Sequence, residues 1–298
     1  MDNFSSPDRP RRIVIIYNPT SGRWRQSRFA RILVALKKTG CEITAWETRC
    51  AGHAIHLARM AADGAFDIIV AAGGDGTINE VVNGLSGSTC VLGIIPLGTA
   101  NVFAREIVQS FSPDAIAHTL AFGPIKEIMI GRANDRLFIM MAGVGFDANI
   151  VAGVSIDVKK KIGPFAYVIQ AFREASSGRT MRCHVQIDTV DYLVSSVIVC
   201  NGRHYGGPFI AAPGARLTNQ DFQILLFKGQ GSFSLLRYGL ALIFNRLGAC
   251  ADVEIVSGKH IVVFGSTDQP AQVDGELLRG LPLHICKDQR AMKIVYPR

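Results

Sequence analysis

Several common signatures are missing from this sequence of 298 residues. It holds no G-x-x-x-x-G-K-[ST] pattern, which excludes the P-loop route to nucleotide binding. Its seven cysteines include no close pair, so we expect reduced thiols in the core rather than a disulfide framework. No apolar run reaches the roughly 18 residues of a membrane span, and residues 1–12 lack the apolar stretch of a signal peptide. These absences predict a globular cytoplasmic protein.

Basic residues outnumber acidic ones, 32 against 24, which gives a formal net charge of +8. Such an excess favours an anionic partner surface, such as lipid headgroups, but ordinary solvated helix faces are an equal alternative. Because no zinc-finger spacing is present, the sequence predicts no nucleic-acid partner. The basic residues cluster at Arg9, Arg11 and Arg12, at Arg23, Arg25, Arg28 and Arg31, and at Lys159, Lys160 and Lys161.

The most informative segment is residues 67–84, DIIVAAGGDGTINEVVNG. An apolar run, Ile68–Ala72, leads into three glycines within four positions, and helical spacing resumes at Asn79. Glycine permits a positive φ and has no Cβ, so backbone N–H groups can approach a polyphosphate closely. The start of the following helix adds free N–H donors and a partial positive charge. The segment therefore predicts a phosphate-binding turn between a strand and a helix.

Asp75 is unusual within such a turn, because a carboxylate repels phosphate oxygens unless a cation or a proton lies between them. One reading makes Asp75 a group on the magnesium side of the nucleotide, or a proton-handling group. The other reading makes it a helix N-cap, which is a frequent use of aspartate. The spacing alone leaves both readings open.

A second loop has the same organisation. The apolar run Val91–Pro96 ends in Leu97-Gly98-Thr99-Ala100-Asn101, and helical spacing follows from Phe103. We expect the two loops to lie side by side at the carboxyl edge of a parallel sheet, where such folds bind ligands. Because a P-loop lysine is missing, Arg105 could supply positive charge there, with an ordinary surface arginine as the alternative.

These two loops resemble the diacylglycerol kinase catalytic-domain family, which contains bacterial lipid kinases related to sphingosine and ceramide kinases and, more distantly, to NAD kinases. The resemblance extends over nearly the whole chain, because further segments follow in the family's order. These segments are residues 17–22 (YNPTSG), Thr48 with residues 52–54 (GHA), 143–148 (GVGFDA), 201–203 (NGR), 206–207 (GG), 212–213 (AP) and 274–276 (DGE).

Strands alternate with helices up to about residue 125, and strands dominate beyond residue 130. The predicted fold class is α/β: an N-terminal three-layer α/β domain with a parallel sheet, of the NAD kinase and diacylglycerol kinase type, followed by a C-terminal β-sandwich domain. The predicted domains are residues 1–126, joined by about 288–298 through a returning last strand, and residues 127–287. Within the second domain we predict single strands over 136–142 and 192–200, and a helix over 162–176.

The resemblance implies ATP and Mg²⁺ as cofactors and gives roles to residues of both domains. Asp75 and Glu276 are the expected catalytic residues, with Asp75 organising metal and acceptor and Glu276 acting as base. A hairpin turn at Asp274-Gly275 is the plainer reading of the Asp-Gly-Glu segment, and both readings can hold together. The expected nucleotide-binding residues are Asn18, Thr20, Thr48, Gly73, Gly74, Asp75, Gly76, Thr77, Asn79, Glu80, Gly98, Thr99 and Asn101.

Three positions depart from the family's pattern. Val102 stands where relatives have an aspartate after the second loop, and Met129 stands where an aspartate often supports the catalytic glutamate. Asn219-Gln220 stands where the family has an Asp-Gly pair that holds a structural magnesium. Asn219 and Asp221 are therefore weak candidates for such a site, because an amide oxygen carries no charge.

The predicted function is an ATP- and Mg²⁺-dependent lipid kinase that phosphorylates a hydroxyl of a diacylglycerol-like or sphingoid lipid. Its expected partners are that membrane lipid and the anionic inner face of the membrane, which a peripheral cytoplasmic protein would visit; a homodimer is an open alternative. Two rivals remain, an NAD kinase-like enzyme with a soluble acceptor and a nucleotide- or lipid-binding regulator that lacks catalysis. Val102, Met129 and Asn219 favour the regulator.

Overall fold

The computed structural model of the protein describes residues 10–19, 23–146, 148, 182–266 and 269–297, apart from the side chains of residues 23, 24 and 232. The chain divides into two units. The first unit comprises Met1–Ile128 and Arg290–Arg298, and the second comprises Met129–Gln289. Each unit has its own sheets and its own buried core.

Segments of four to six residues form the strands of the first unit, which are β1 (Arg12–Tyr17), β2 (Glu42–Glu47), β3 (Ile68–Gly73), β4 (Val91–Pro96), β5 (Ile125–Ile128) and β20 (Met292–Val295). They build one sheet in the order β2-β1-β3-β4-β20-β5. All neighbours pair in parallel except β20 and β5, which are antiparallel. The last strand of the chain therefore returns to the first unit.

Helices cover both faces of this sheet. The helices that the structure describes here are α1 (Arg23–Lys38), α2 (His53–Ala62), α3 (Asp75–Gly84), α4 (Val102–Glu106) and α5 (Pro113–Phe122). Ile13 and Ile15 of β1 share a core with residues of α1 and α5, which contact each other. The alternate residues Val14 and Ile16 are also fully buried, on the opposite face, where α2 contacts β1 and α3 contacts β3. The predicted three-layer α/β arrangement is confirmed.

The second unit is built mainly from antiparallel strands. Its strands are β6 (Gly131–Ala133), β7 (Arg136–Phe138), β8 (Met141–Val144), β9 (Cys183–Ile187), β10 (Val190–Val194), β11 (Ser196–Cys200), β12 (His204–Tyr205), β13 (Phe209–Ile210), β14 (Phe222–Phe227), β15 (Val253–Gly258), β16 (Ile261–Phe264), β17 (Ala271–Val273), β18 (Glu276–Leu278) and β19 (Leu283–Lys287). Two six-stranded sheets run in the orders β10-β9-β16-β19-β6-β7 and β15-β14-β11-β8-β17-β18. One apolar core takes residues from both, for example Val185 and Val263 from the first and Val197 and Ile224 from the second. The predicted β-sandwich is confirmed.

Two of the strands predicted in this unit are each broken in two. The predicted strand 136–142 is β7 and β8, because the N–H groups of the residues between them bond to a distant carboxylate, that of Asp274. The predicted strand 192–200 falls within β10 and β11, which belong to different sheets. The break comes at Ser195, whose hydroxyl donates to the carbonyls of Phe227 (2.7 Å) and Gly229 (2.6 Å).

One longer helix of the second unit, α6 (Gly231–Ile243), is followed by a short 3₁₀ turn at Leu247–Ala249. The helix predicted over 162–176 lies outside the described residues. Among the residues that the structure describes, no helix is both long enough and apolar enough to cross a membrane.

Candidate functional site

Parallel strands β1, β2 and β3 end at the same edge of the first unit's sheet, and a cavity of about 360 Å³ lies there. We call it the sheet-edge cavity. Its lining residues are Asn18, Thr48, Arg49, Cys50, Ala51, Ala54, Gly74, Gly76, Thr77 and Glu80. Six of the predicted nucleotide-binding residues are among them, namely Asn18, Thr48, Gly74, Gly76, Thr77 and Glu80. The volume lies within the range of small-molecule sites in proteins.

The first glycine loop enters its helix sooner than the sequence predicted. Helix α3 begins at Asp75, so the turn predicted to bind phosphate and the first helical turn share residues. Ile78 is the first residue whose N–H bonds back into the turn, to the carbonyl of Gly74 at 3.1 Å. The N–H groups of Gly76 and Thr77 precede it, and no described residue accepts a hydrogen bond from them. Both residues line the sheet-edge cavity, so the cavity contains the open, partially positive end of a helix.

Glu80 caps the N-terminus of the neighbouring helix α2. Its Oε1 accepts from the N–H of Gly52 (2.9 Å) and its Oε2 from the N–H of Ala54 (3.1 Å). Both oxygens therefore cap the N-terminus of α2, and Gly52 itself has a φ of 82°. The predicted role of Glu80 in nucleotide binding stays a prediction, and the structure gives it a positioning role in the cavity wall.

Asp75 caps the N-terminus of α4. Its Oδ1 accepts from the N–H of Val102 at 2.7 Å and from the N–H of Phe103 at 3.4 Å, the first residues of α4. Asp75 is thus a capping residue, as one sequence reading held, but for the helix after the second loop rather than for its own. Of the starts of α2, α3 and α4, which lie at this edge, those of α2 and α4 are capped by carboxylates of the protein and that of α3 faces the cavity.

The two glycine loops touch each other through their backbones. A Cβ on Gly98 would lie 2.5 Å from the Cα of Gly74, and a Cβ on Gly74 would lie 3.2 Å from the Cα of Gly98. A Cβ on Gly73 would lie 2.5 Å from the hydroxyl of Thr77. The sequence argument from positive φ is wrong for this loop, since Gly74 has a φ of −86° and neither Gly73 nor Gly98 is left-handed. A side chain would overlap neighbouring atoms at Gly73 and Gly98, and at Gly74 it would be a tight fit.

The second loop is held by its own side chains. Asn101, at a φ of 47°, accepts from the N–H of Gly98 (2.8 Å) and donates to its carbonyl (2.9 Å). Thr99 accepts from the guanidinium of Arg25 at 2.7 Å. Arg105 donates to the carbonyl of Ala100 at 3.0 Å, so it fixes the loop rather than projecting alone into solvent.

Other predicted residues lie near the cavity without lining it. Asn79 is 1% exposed, and its side-chain and backbone oxygens accept from Asn83. Gly73 is in β3 and pairs with Pro96 of β4, so the two loops do follow neighbouring strands as predicted. Thr20 lies outside the described residues.

Arg49 was missed by the sequence argument. It follows Thr48 at the end of β2, is exposed, and lines the sheet-edge cavity beside Cys50. Its backbone N–H donates to Nδ1 of His53 at 3.0 Å. The available signal was its place directly after a strand of the parallel sheet, before the helix that Glu80 caps. It brings a guanidinium to a cavity that has no P-loop lysine.

In the second unit, Asp274 and Gly275 form the two-residue turn between β17 and β18. Their φ values of 49° and 80° match a hairpin turn with two left-handed residues, so the hairpin reading of the sequence is confirmed. The Asp274 carboxylate accepts from the N–H groups of Ile139 (2.7 Å), Met140 (2.9 Å) and Met141 (3.0 Å). The turn is thereby locked to the strand beside it.

Glu276 follows this turn as the first residue of edge strand β18. Its side chain is 37% exposed and forms an ion pair with Arg136 of β7. Arg136 is a second residue that the sequence argument missed, because 140 positions separate the pair along the chain. The Glu276 carboxylate is thus partly accessible to solvent and is held in one orientation by Arg136.

The residues named for a structural magnesium do not fit one. Lys287 places its ammonium on the side-chain oxygen of Asn201 and 4.3 Å from the centre of the Phe222 ring. Burial lowers the pKa of Lys287 to about 8, while the nearby charge of Asp221 acts in the opposite direction. A magnesium ion at Asn219 and Asp221 would have one carboxylate and a neighbouring ammonium against it. Nowhere among the described residues do three His, Cys, Asp or Glu side chains form a metal-binding group.

The seven cysteines all carry free thiols. Only Cys183 and Cys200 are buried, and Cys50 is exposed at the sheet-edge cavity. The expectation of unpaired thiols is therefore met, although most of them are not in the core.

Comparison with known proteins places both units. Residues 12–133 match the family described as "Diacylglycerol kinase catalytic domain", and residues 140–296 match "YegS C-terminal NAD kinase beta sandwich-like domain". The chain is 32% identical to a diacylglycerol kinase of Bacillus subtilis (strain 168), over 97% of each chain. It is 28% identical to a diacylglycerol kinase of Staphylococcus epidermidis, over 97% of this chain and 93% of that one. A crystal structure of a proposed diacylglycerol kinase from Bacillus anthracis strain Sterne shares the fold, with a TM-score of 0.82 at 22% identity over 99% and 98% of the chains.

Proposed function

This chain belongs to the diacylglycerol kinase family and is a lipid kinase, and we propose that it transfers the γ-phosphoryl group of ATP to a hydroxyl of a diacylglycerol-like lipid. The observation that carries the nucleotide part is the open N-terminus of α3 in the sheet-edge cavity, beside two helix N-termini that the protein caps itself. An uncapped helix start is a site for phosphate, because its N–H groups and dipole favour negative charge.

Binding of the nucleotide requires little movement of the first loop. The contact between Gly74 and Gly98 and the bonds of Asn101 hold both loops in place before any ligand arrives. The N–H groups of Gly76 and Thr77 would donate hydrogen bonds to phosphate oxygens, and Arg49 would add the positive charge that a P-loop lysine supplies elsewhere. Magnesium would enter with the nucleotide and neutralise charge on its phosphates.

Transfer forms a bond between the lipid hydroxyl oxygen and the γ-phosphorus and breaks the bond from that phosphorus to the bridging oxygen of ADP. The hydroxyl proton has to leave, and Glu276 is the proposed acceptor, which passes it to solvent. Because the transition state of phosphoryl transfer is loose, the base mainly orients the hydroxyl and takes its proton late. The ion pair with Arg136 fixes the direction of the carboxylate that would do so.

The test is transfer of label from [γ-³²P]ATP with Mg²⁺ into mixed-micelle diacylglycerol, sphingoid lipids and NAD, in parallel. Labelled diacylglycerol that disappears in Glu276→Gln supports the proposal. Glu254→Gln is the matched control, because Glu254 is also a half-exposed carboxylate of this unit in an ion pair, with Lys228 at 2.8 Å. Labelled NAD would favour the NAD kinase-like rival, and nucleotide binding without transfer to any acceptor would favour the regulator.

Asp75 needs a pair of variants, because it can act as a cap or through its charge. Asp75→Asn keeps an oxygen for the N–H of Val102 and removes the charge, whereas Asp75→Ala removes both. We expect kcat/KM to fall by about 10³ in both variants if the charge organises the metal. A loss confined to Asp75→Ala would instead reduce Asp75 to a positioning residue.

A further inference from the structure

Helix α6 carries an apolar stripe that no described part of the chain covers. Phe233, Leu236, Leu240, Ile243 and the adjoining Phe244 are 77%, 37%, 48%, 42% and 69% exposed. At about 100° of rotation per residue, these five side chains fall within an arc of about 100°. Single exposed apolar residues are ordinary on protein surfaces, but a continuous stripe marks an interaction site.

The opposite side of α6 is firmly attached to the second unit. Tyr238 is 3% exposed, and its ring packs against Phe227 at a centroid distance of 5.0 Å. Its hydroxyl donates to Asp252 at 2.5 Å and accepts from the N–H of Gly229 at 3.0 Å. Arg237 also pairs with Asp252. The helix is therefore fixed to the second unit, and its apolar stripe is exposed in the folded protein without any local unfolding of the helix.

The charge beside the stripe favours an anionic partner. Residues 228–251 include three basic residues and no acidic one. Lys228 and Arg237 are paired with Glu254 and Asp252, which leaves Arg246 as an exposed cation beside Phe244. An apolar face with a basic residue beside it is the pattern of helices that lie in the surface of an anionic bilayer, and among the described residues around α6 Arg246 is the cation that supplies this charge.

The basic clusters near the start of the chain fit that role less well. Arg11 donates to the carbonyls of Leu120 (2.9 Å) and Gly123 (3.0 Å), and Arg28 donates to the carbonyl of Phe111 (2.8 Å). Arg12 lies 3.8 Å from Asp67. These guanidinium groups brace the first unit from within. Arg9 and Lys159, Lys160 and Lys161 lie outside the described residues.

We propose that the stripe on α6 is the membrane-docking surface of this protein, and that it inserts into the headgroup region of an anionic bilayer. The proposal rests on the proposed function in one respect, since a kinase whose acceptor is a membrane lipid has to reach that lipid. In-plane insertion of a helix needs only the apolar stripe and nearby basic charge, and α6 has both.

The test measures binding of the full chain to vesicles of equal parts phosphatidylglycerol and phosphatidylcholine, without ATP or acceptor lipid. We expect the double variant Phe233→Ser, Leu240→Ser to lower the partition coefficient at least about tenfold. The matched control is Val190→Ser, Leu193→Ser, which removes two apolar side chains of the same unit that are 51% and 62% exposed. Equal binding by the stripe variant and the wild type, or equal losses in both double variants, would overturn the proposal.

Two further measurements separate the alternatives. Tryptophan placed by Phe244→Trp should be quenched by brominated lipid in vesicles, and absence of quenching contradicts insertion. Sedimentation velocity without vesicles reports a second copy of the chain: a dimer that the stripe variant abolishes, with vesicle binding unchanged, would assign the stripe to self-association instead.

Kinase assays keep this inference distinct from the proposed function. If the stripe variant loses activity on vesicle diacylglycerol but keeps it on a short-chain, monomeric diacylglycerol, both proposals are supported. Vesicle binding by the wild type with no transfer to any lipid would contradict the proposed function but not the docking surface. Full activity of the stripe variant on vesicle diacylglycerol would support the proposed function and contradict the docking surface.

Discussion

The two units treat runs of backbone N–H donors in opposite ways. In the first unit, Gly76 and Thr77 offer their N–H groups to a cavity. In the second unit, the N–H groups of Ile139, Met140 and Met141 also converge, but the Asp274 carboxylate takes all three. The same donor chemistry therefore makes a ligand site in one unit and a structural lock in the other. The difference is whether the protein supplies the anion itself.

The two units also use glycine for different physical reasons. Gly98 has no room for a Cβ and Gly74 has little, because each lies against the backbone of the other. Gly275, with a φ of 80°, is needed for its left-handed backbone in a tight turn. Loops that close on each other through their backbones stay in shape while leaving donors open, whereas a hairpin turn only has to reverse the chain.

Removing the Asp274 carboxylate, which accepts from three N–H groups of the second unit, should have the largest effect on stability. Asp274→Ala leaves three buried N–H groups without an acceptor, since Ile139, Met140 and Met141 are 2%, 4% and 7% exposed. We expect the free energy of unfolding to fall by about 4 kcal/mol. Asp274→Asn keeps one acceptor and tolerates the positive φ, so its loss should be about half as large. Urea denaturation measures both, and an unchanged stability in Asp274→Ala would remove the lock from the comparison.

The contact between the glycine loops predicts a graded effect in the first unit. A Cβ on Gly98 lies 2.5 Å from the Cα of Gly74, whereas a Cβ on Gly74 lies 3.2 Å from the Cα of Gly98. Gly98→Ala should lower the free energy of unfolding by about 3 kcal/mol and Gly74→Ala by about 1 kcal/mol, because backbone atoms cannot move aside cheaply. Each variant serves as the control for the other in the same denaturation assay. Equal losses would mean that the loops are not in contact as described.

Lys287 allows a comparison by pH rather than by deletion. Its pKa in the folded protein is lowered by burial to about 8, against an ordinary value of 10.5. Between these two values the unfolded chain binds more protons than the folded one, so stability should rise with pH, by about 3 kcal/mol, and level off above the upper value. Urea denaturation across this range should show the rise in the wild type and not in Lys287→Met. Lys259→Met, at an exposed lysine of the same unit, should keep it.

The smallest expected effect concerns the charge beside the open donors. Arg49→Ala should raise the KM for ATP about tenfold, equivalent to about 1.4 kcal/mol, with kcat little changed. Arg49→Lys should recover part of the loss, because it keeps the charge without the planar guanidinium. Arg59→Ala, at an exposed arginine of α2, is the control. If Arg49→Ala and Arg59→Ala behave alike, the positive charge at the phosphates comes from the helix alone.

Local patterns in the sequence predicted the elements that carry the candidate site. Apolar runs with glycines after them gave β3 and β4 and the loops that follow, and alternation gave the parallel sheet. The same patterns missed the breaks at Ser195 and between β7 and β8. Those breaks depend on acceptors far along the chain, such as the Asp274 carboxylate, and periodicity within a window contains no information about them.

The individual roles of site residues were harder to predict than their positions. Asp75 and Glu80 were predicted as site residues from the motif, but their capping contacts were not predicted. Asp75 caps α4 across 27 positions of the chain, and Glu80 caps α2 across 26 to 28 positions. Arg49 and Arg136 gave no motif, because a single arginine has no characteristic spacing. Lys287 lies beside Asn201 through a contact between residues 86 positions apart.

The sequence by itself determined that strands alternate with helices in the first unit, that this unit holds a parallel sheet with two glycine loops at its edge, and that a β-sandwich follows. It could do so because periodicity, glycine placement and apolar runs act over a few neighbouring residues. Only the tertiary structure decided which helix N-terminus stays open, why the loop glycines cannot carry a side chain, and that α6 presents an uncovered apolar stripe. These are properties of distant groups brought together, and hydrogen-bond partners and burial exist only once the chain has folded.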